Sequence, residues 1–394
     1  MNSVVHVVGA GLAGLSAAVA LAQAGRRVRL YEAAKQAGGR CRSYLDSTIG
    51  CPVDNGNHLL VSGNPALLRY IGVIGATATL EAGRVRYPFI DLRDGKSWQV
   101  TRNPLSIPGL TIRHLYDLLF GLKHREVVGM KDDDFHRRFL APLIIAALNT
   151  EPEQASAPLA AQILRDTFAR GAVRPYLPRN GLSASLIDPA LVYLEARGGE
   201  IAYGLRLRRL ERRNDQVTGL HFAETVVPLR AGDRVILATP ATVAGELVEG
   251  LTVPDDFRPI VNVHFAGEVA SPDPFIGLVG GLAEWVFFKP GHVSITVSAA
   301  TRAVEETPER IAARCWDDLL KGGLVRGALP LYRVVKEKRA TFAATPVQLA
   351  RRPAAATPLA NLFLAGDYTA TGWPATMESA VRSGQEAARR ALQN

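Results

Sequence analysis

The amino-acid sequence predicts an α/β fold built around a parallel sheet, and three observations lead to that prediction. Val4–Val8 is a β-branched run that leads through a glycine turn and an alanine-rich helix into a second strand at 28–31. Two further apolar strands, Arg234–Leu237 and 361–365, come much later in the chain. Residues 255–300 alternate apolar and polar positions, which is typical of strands in a second sheet.

The remaining elements are predicted from hydrophobic periodicity and from Gly and Pro residues that mark turns and helix ends. The first helix spans 15–24 and ends at Gly25. Further helices are predicted at 110–123, 139–148, 186–197 and 377–392, and two paired strands at 200–210 and 217–222. No repeat or low-complexity linker separates these segments, so we expect two interleaved domains.

Composition bounds the class of protein. The 394 residues are enough for two domains, and 47% hydrophobic with 21% charged residues is ordinary globular composition. The net charge of +9 fits either an anionic membrane surface or a generally basic exterior. No run of five like charges and no basic motif interleaved with aromatic residues occurs, so we expect no nucleic-acid partner.

Cysteine usage and hydropathy indicate the compartment. Three cysteines without CxxC spacing predict neither a disulfide framework nor a metal site, and reduced cytosolic thiols are the default. Residues 4–25 are apolar enough to imitate a membrane span, but glycines interrupt them where a strand must turn into a helix. We therefore expect a cytoplasmic protein, soluble or peripheral on the inner face of the cell membrane.

The glycine turn carries the clearest chemical signal, Gly9-Ala10-Gly11-Leu12-Ala13-Gly14. The first glycine makes the turn, the second lets backbone approach a pyrophosphate, and the third lets helix and strand pack closely. Glu32 ends the second strand about 20 residues later, where an acid accepts hydrogen bonds from a ribose and repels a 2′-phosphate. Together these features predict a Rossmann-like dinucleotide-binding unit, and NADP is not expected in it.

Other segments distinguish FAD from NAD. Gly38-Gly39-Arg40 resembles an extension found in the amine oxidase and phytoene desaturase group of flavoproteins, as does the late Gly366-Asp367 pair. The resemblance implies FAD, held by an amine oxidase-like two-domain fold. The cofactor contacts it implies also include Ala33, Gly56, Leu207, Ala238, Thr376 and the backbone of Met377. No second GxGxxG follows a strand, so a fixed NAD(P)H site is not expected and the electron donor stays unknown.

Three segments are similar to a narrower family, the squalene-associated FAD-dependent desaturases known as hydroxysqualene dehydroxylases. They are Val53-Asp54-Asn55-Gly56-Asn57-His58-Leu59-Leu60, Ala146-Ala147-Leu148-Asn149-Thr150 and Pro178-Arg179-Asn180-Gly181-Leu182-Ser183. The resemblance implies reduction of hydroxysqualene to squalene in bacterial hopanoid synthesis. Asn180 departs from the family, where Gly is expected, and so does Asn57, where Gln is common.

Candidate catalytic residues follow from the chemistry that this resemblance implies. Removing an allylic hydroxyl requires a proton for the leaving group and a hydride, which reduced flavin donates. His58 is the expected acid, with Asn57 beside it, although a structural histidine is an equally open interpretation. Trp285, Phe287 and Phe288 are expected to face a polyprenyl chain, with ordinary core packing as the alternative.

The domain division and two competing functions stay open at this point. The FAD-binding domain is predicted to comprise 1–80, 178–245 and 345–394, and an α+β substrate domain 81–177 and 246–344. A carotenoid or phytoene desaturase, or an amine oxidase-type enzyme, would run related flavin chemistry. A non-catalytic flavin-binding partner of prenyl synthases is an alternative of another class.

A long isoprenoid substrate raises the question of how it reaches the enzyme. The segment 110–125 places Leu115, Leu118, Leu119 and Leu122 at helical spacing, with basic residues at both ends. This pattern predicts either shallow membrane insertion or a helix packed on the substrate domain. Delivery by an upstream prenyl synthase is the third possibility.

Overall fold

A computed structural model describes residues 3–168 and 173–393 of the chain, and it contains both helices and strands. In chain order the strands are β1 (Val4–Val8), β2 (Arg27–Tyr31), β3 (Ser43–Asp46), β4 (Cys51–Asp54), β5 (Leu60–Val61), β6 (Leu80–Ala82), β7 (Tyr87–Asp91), β8 (Ser97–Val100), β9 (Pro175–Pro178), β10 (Glu200–Ala202), β11 (Leu207–Arg213), β12 (Gln216–Phe222), β13 (Val226–Pro228), β14 (Arg234–Leu237), β15 (Phe257–Ala266), β16 (Phe275–Val279), β17 (Trp285–Lys289), β18 (His292–Val297), β19 (Tyr332–Phe342) and β20 (Leu362–Leu364).

The α-helices of the described residues connect and cover these strands. They are α1 (Leu12–Gln23), α2 (Pro65–Val73), α3 (Ile112–Tyr116), α4 (Ala141–Leu148), α5 (Ala157–Phe168), α6 (Asp188–Glu195), α7 (Ala241–Leu247), α8 (Pro308–Lys321), α9 (Pro346–Ala350) and α10 (Met377–Gln393). Three π-helical segments extend the helical regions, at Asp117–Gly121, His136–Leu140 and Ser183–Ile187.

A five-stranded parallel sheet in the order β10-β2-β1-β14-β20 confirms the predicted Rossmann-like unit. Apolar side chains cover both of its faces, as buried parallel strands require. α1, α2, α6 and α10 pack on one face, while β11, β12 and α7 pack on the other. The first helix begins at Leu12, three residues earlier than predicted, because the glycine turn opens directly into it.

A seven-stranded sheet in the order β19-β15-β18-β17-β16-β7-β8 forms the second layer of the molecule. Its neighbouring strands are antiparallel except for β16 and β7. α8 packs on one face of this sheet, and α4 and α5 lie over part of the other. The two sheets draw their strands from the ranges assigned above to the two domains, whose boundaries stay a prediction.

One strand prediction is wrong. Residues 200–210 do not form a single strand, because Gly204 turns the chain with a left-handed φ of 74°. β10 therefore joins the parallel sheet beside β2, whereas β11 pairs with β12 in a separate three-stranded sheet. The apolar residues of β11, Leu207 and Leu210, are three positions apart, so an alternating pattern does not define where this strand begins.

Candidate active site

The glycine turn after β1 has two positions where no larger residue fits. Gly9 has a left-handed φ of 108°, and a Cβ there would lie 2.4 Å from the Ala238 carbonyl oxygen. A Cβ on Gly14 would lie 1.8 Å from the Gly9 carbonyl oxygen, far inside van der Waals contact. The first and third glycines thus make the tight turn and the close helix packing that the motif predicts.

Gly11, the second glycine, borders open space instead. Its backbone is extended (φ −75°, ψ 176°), and a Cβ would meet no described atom within 4 Å. It is the N-cap of α1 and has no side chain to satisfy the first N–H groups of the helix. Leu12 and Ala13 bury their side chains, so this end of α1 offers backbone N–H groups, which suit negatively charged phosphates.

Glu32 holds the end of β2 against the glycine turn. One carboxylate oxygen accepts a 2.8 Å hydrogen bond from the Ala10 N–H, and the other accepts one of 2.8 Å from the Ala34 N–H. Ala33 is exposed between them. Each oxygen keeps a second lone pair, so these bonds leave the carboxylate able to accept from a ribose hydroxyl.

The segment that leads to Leu207 runs beside the same loop. Gly204 N–H donates to the Ala34 carbonyl at 3.1 Å, and Leu205 N–H donates to the Glu32 carbonyl at 2.8 Å. Leu207 follows as the first residue of β11 and is buried. Its backbone contact with an adenine stays a prediction.

The Gly-Gly-Arg segment returns to the same turn. Gly38 N–H donates to the Ala10 carbonyl at 2.8 Å, and a Cβ on Gly39 would lie 3.5 Å from the Gly11 Cα. Both glycines have left-handed φ values, 110° and 54°. The close approach of two backbones therefore depends on glycine at these positions.

Arg40 joins this segment to a region more than 300 residues away. Its guanidinium donates to Asp367 Oδ1 at 2.7 Å and also to the Ala340 carbonyl. The Asp367 carboxylate raises the pKa of Arg40. Gly366 N–H is held in turn by the Ser383 hydroxyl at 2.8 Å, so β20 and α10 close one side of the site.

A buried hydroxyl next to the turn points to a bound group. Thr239 Oγ1 has no hydrogen-bond partner among the described residues, and it follows Ala238, which packs directly on Gly9. Unpaired buried polar atoms are unfavourable in a folded protein, so they indicate places that a ligand completes. With the open space at Gly11, this hydroxyl fits the diphosphate region of a dinucleotide.

The start of α10 is fixed by two polar side chains. Thr376 caps the helix through its hydroxyl, and Met377 is its first residue. Glu378 is completely buried and accepts hydrogen bonds of 3.1 and 2.9 Å from the Ala66 and Leu67 N–H groups at the start of α2. Sequence reasoning missed this acid, although a Glu in an otherwise apolar helix turn was a usable signal.

Asp54 connects two of the family-like segments to the second sheet. It accepts hydrogen bonds from Ser43 Oγ at 2.6 Å, Leu182 N at 2.8 Å and Lys289 Nζ at 2.8 Å. Burial raises the pKa of Asp54, but Lys289 and these hydrogen bonds outweigh burial and hold it below its ordinary value. A Cβ on Gly181 would lie 2.9 Å from Asp54 Oδ1, which explains why the segment 178–183 carries a glycine there.

A group of polar side chains, which we call the polar patch, forms where the 55–59 loop meets the second sheet. Asn57 Nδ2 donates to Ser294 Oγ at 2.7 Å and to Thr296 Oγ1 at 3.1 Å. Thr296 donates to Asn262 Oδ1 at 3.0 Å, and Ser294 Oγ lies 2.8 Å from His264 Nδ1. The patch consists of these five residues, of which only Asn57 was a predicted site residue.

The missed residues have a recognisable sequence signal. Asn262 and His264 occupy alternate positions of β15, between Val261, Val263 and Phe265, which are buried on the opposite face. Two polar residues at a spacing of two on an otherwise apolar strand indicate a polar feature on one sheet face. Composition and motif spacing did not draw attention to them.

His58 lies at the edge of this region, and its ring is neutral, whereas the predicted acid would carry a proton to donate. Burial lowers its pKa to about 4, with Asp54 opposing the shift. No hydrogen bond joins its ring to any residue in the described part of the chain; a Cβ built on Gly56 would lie 3.8 Å from Nε2. A neutral imidazole is a weak acid, so the catalytic role of His58 stays a prediction that the electrostatics do not favour.

Aromatic side chains, here called the aromatic patch, continue the same sheet face. The patch consists of Phe89, Phe275, Trp285 and Phe287, with ring centroids 5.3 Å apart for Phe89 and Trp285 and 6.2 Å apart for Phe275 and Phe287. Phe288 is not part of the patch, because alternation along β17 turns it to the opposite face, where it packs against the cluster under α8; its contact with a substrate stays a prediction.

Register places the two patches side by side. Trp285 pairs with Thr296, and Phe287 pairs with Ser294, across adjacent antiparallel strands. Directly paired residues point to the same sheet face. The polar patch is therefore bordered by aromatic rings, and the face changes from polar to apolar within one strand spacing.

A second group of titratable side chains lies apart from this face. His114, Asp133 and His136 approach one another within 4.8 Å, a composition that also suits metal ligands. His114 completes a capping box with Thr111, and Asp133 accepts a 2.8 Å hydrogen bond from the His136 N–H. Helix capping accounts for all three positions, so we assign no metal to them.

The chain matches the flavin containing amine oxidoreductase family over residues 12–392. It is 41% identical to the hydroxysqualene dehydroxylase of Sinorhizobium fredii over 98% of both chains, and 42% identical to that of Rhodopseudomonas palustris over 98% of both. A 15-cis-phytoene desaturase of Glycine max is 24% identical, over 98% of this chain and 79% of the relative.

Solved structures support the same architecture. Cyclohexylamine oxidase from Brevibacterium oxydans superposes with a TM-score of 0.73 at 15% identity, covering 100% of this chain and 99% of the other. At this identity the likeness concerns the fold alone. It confirms the predicted two-domain, amine oxidase-like arrangement.

Proposed function

Because this chain belongs to the hydroxysqualene dehydroxylases of the flavin containing amine oxidoreductase family, we propose that it reduces hydroxysqualene to squalene. The chain is an oxidoreductase and a flavin enzyme. In the proposed reaction the carbon–oxygen bond breaks, a hydride forms the new carbon–hydrogen bond, and the hydroxyl takes up a proton and leaves as water.

We propose FAD as the flavin. The open space at Gly11 and the unpaired Thr239 hydroxyl fit a diphosphate, and Glu32 stands where an adenosine ribose would meet it. When bound and reduced, FAD supplies the hydride. The residues of the glycine turn, Glu32, Gly38, Gly39 and the Arg40–Asp367 pair would hold it, and the backbone of Met377 is the proposed contact for the flavin ring.

The single observation that carries the substrate proposal is the meeting of the two patches on one sheet face. Hydroxysqualene is a long hydrocarbon with one hydroxyl group, so its binding site needs a wide apolar surface and one polar spot. The aromatic patch supplies apolar rings, of which Phe89, Phe275 and Phe287 are buried, and the polar patch supplies polar groups one strand away. A hopanoid pathway would then consume the squalene product.

Anaerobic turnover is the direct test. Purified protein with chemically reduced FAD and hydroxysqualene in detergent should form squalene, identified by mass spectrometry. With deuteride delivered from the reduced flavin, we expect one deuterium per squalene. Formation of no squalene, with FAD bound and reduced, would overturn the proposal.

Two alternatives make different predictions in the same assay. A phytoene desaturase-type or amine oxidase-type enzyme would turn over phytoene or an amine, and a non-catalytic partner of prenyl synthases would turn over nothing. Identities of 41–42% to dehydroxylases against 24% to a phytoene desaturase favour the first function.

Delivery of so apolar a substrate leads us to propose peripheral membrane binding. No helix in the described residues has the length and apolarity to cross a bilayer. The helical region from α3 to residue 124 instead exposes a row of large apolar side chains, with Ile112 88% exposed and Leu119 and Phe120 each 52% exposed. Exposed apolar rows of this kind are rare on monomeric surfaces and suit shallow insertion.

The structure corrects the leucines expected in this row. Leu115 and Leu119 are exposed, but Leu122 is buried and Leu118 packs against the core under the helix. Tyr116 and Phe120 take their places, with rings 5.3 Å apart. Arg113, Lys123 and His124 are exposed at the two ends, where basic groups meet lipid headgroups.

A double substitution, Leu119→Ser with Phe120→Ser, should weaken co-sedimentation with anionic vesicles by roughly tenfold or more, because it removes two apolar side chains that would insert into the lipid. Flavin content should not change. Leu329→Ser with Leu331→Ser, another exposed pair, is the matched control and should bind as the wild type does. Equal binding by the two double variants would contradict this membrane surface. No binding by any form would favour delivery by an upstream prenyl synthase.

A further inference from the structure

Two buried atoms of the polar patch lack hydrogen-bond partners among the described residues. They are Asn57 Oδ1 and His264 Nε2. His264 is completely buried on β15, so bulk water cannot form a hydrogen bond with its ring. Such atoms are unfavourable unless a ligand or an ordered molecule completes them.

The direction of the hydrogen bonds in the patch follows from Asn57. An amide nitrogen only donates, and its two hydrogens go to Ser294 Oγ at 2.7 Å and Thr296 Oγ1 at 3.1 Å. Each hydroxyl then has its own hydrogen to pass on. Thr296 gives its hydrogen to Asn262 Oδ1 at 3.0 Å, because a carbonyl oxygen only accepts.

Ser294 passes its hydrogen to His264. The Ser294 Oγ to His264 Nδ1 distance is 2.8 Å, and the described residues offer the Ser294 hydrogen no other acceptor, so we assign Nδ1 as the acceptor. Burial lowers the pKa of His264 to about 3, with Lys289 and His292 acting in the same direction, so the ring is neutral and carries one hydrogen. That hydrogen is then on Nε2, which has no partner within hydrogen-bond distance and angle, although the Asp54 backbone carbonyl also faces the ring and acts to raise its pKa. Asn57 Oδ1 is an unpaired acceptor.

A hydroxyl group is both a donor and an acceptor, which is what these two atoms together require. The neighbouring strand presents Phe287 opposite Ser294 and Trp285 opposite Thr296, so the ligand must be apolar beyond its hydroxyl. We propose that His264 Nε2–H and Asn57 Oδ1 bind the substrate's hydroxyl group and set it toward the flavin. This inference rests on the proposed function.

Ser294 is then a positioning residue. It does not touch the substrate, but its hydrogen bond fixes the hydrogen of His264 on Nε2. His292 has a different arrangement, since its Nδ1 lies 3.3 Å from the Pro290 carbonyl and donates there. The nearby histidine therefore does not duplicate the donor.

The test compares two ligands that differ only in the hydroxyl. FAD-loaded, oxidised protein is titrated with hydroxysqualene and with squalene in the same detergent, following the flavin absorbance. Wild type should prefer hydroxysqualene. His264→Phe and Asn57→Leu should each reduce that preference about three- to tenfold, the value of one hydrogen bond. Ser294→Ala, which removes one oxygen and preserves the fold most safely, should reduce it less.

The matched control is His221→Phe, a histidine substitution on β12, outside the second sheet. It should keep both the preference and the flavin content. An unchanged preference in His264→Phe, Asn57→Leu and Ser294→Ala would overturn the inference, and so would a loss of flavin in the first two variants, which would assign the pair to the cofactor. A wild type that neither binds nor converts hydroxysqualene overturns the proposed function itself, and the inference with it.

Discussion

Gly11→Val should fold normally and contain no flavin. The extended backbone at Gly11 accepts any residue, and the added side chain enters a space that no described atom occupies. The same space is the proposed path of the pyrophosphate. Overpacking there should weaken flavin binding by about 3 kcal/mol or more, which is roughly a hundredfold. Absorbance near the flavin bands and far-UV circular dichroism of the purified variant measure the two properties separately.

Two other glycines provide controls for this result. Gly14→Val should fail to fold, because even a Cβ would lie 1.8 Å from the Gly9 carbonyl oxygen. Gly72→Val, on the exposed side of α2 with no described atom within 4 Å of its Cβ, should stay folded and yellow. A yellow Gly11→Val protein with wild-type affinity would show that the cofactor does not cross this turn.

Asp54→Ala should lower the free energy of unfolding by about 3–5 kcal/mol, the cost of leaving one partner of a buried ion pair alone. Asp54 is buried, and its loss leaves the Lys289 ammonium, the Leu182 N–H and the Ser43 hydroxyl without this hydrogen-bond acceptor. Denaturant unfolding followed by tryptophan fluorescence measures the change. Glu200→Ala, which removes a half-exposed partner of Arg27 and Arg29, should cost at most about 1 kcal/mol.

The stability difference between wild type and Asp54→Ala should also depend on pH. The folded protein holds the pKa of Asp54 below its ordinary value, so the ion pair stabilises the fold above the unfolded pKa, about 3.9. This contribution is lost as the pH falls through the lowered value. The difference between wild type and Asp54→Ala should therefore be largest near neutral pH and shrink below pH ~4. A difference that does not change with pH would contradict an ionised Asp54.

Local features of the sequence predicted the glycine turn and the parallel sheet around it well. The glycine turn, Glu32 and the strands on either side lie within one βαβ unit, where spacing fixes geometry. The Arg40–Asp367 contact spans more than 300 residues, and only the family resemblance brought its two members into one site. A motif is informative in the glycine turn because each glycine there determines the shape of the backbone that forms the site.

The polar patch was less predictable because strand pairing creates it. Asn57, His264 and Ser294 are far apart in sequence and meet only through the register of β15 and β18. A register error of one residue would turn every such side chain to the other face. The sheet face to which Phe288 points also depends on this register. An alternating pattern alone does not say which of its two faces packs against which neighbour.

The buried carboxylate of Glu378 has a consequence for biosynthesis. It satisfies the first N–H groups of α2, and Gly384 lets α10 approach α1 so closely that a Cβ would lie 2.2 Å from the Ala13 carbonyl oxygen. Elements early in the chain are thus completed by elements more than 300 residues later. The βαβ unit therefore lacks its full cover until α10 has been translated, and we expect flavin uptake after that point.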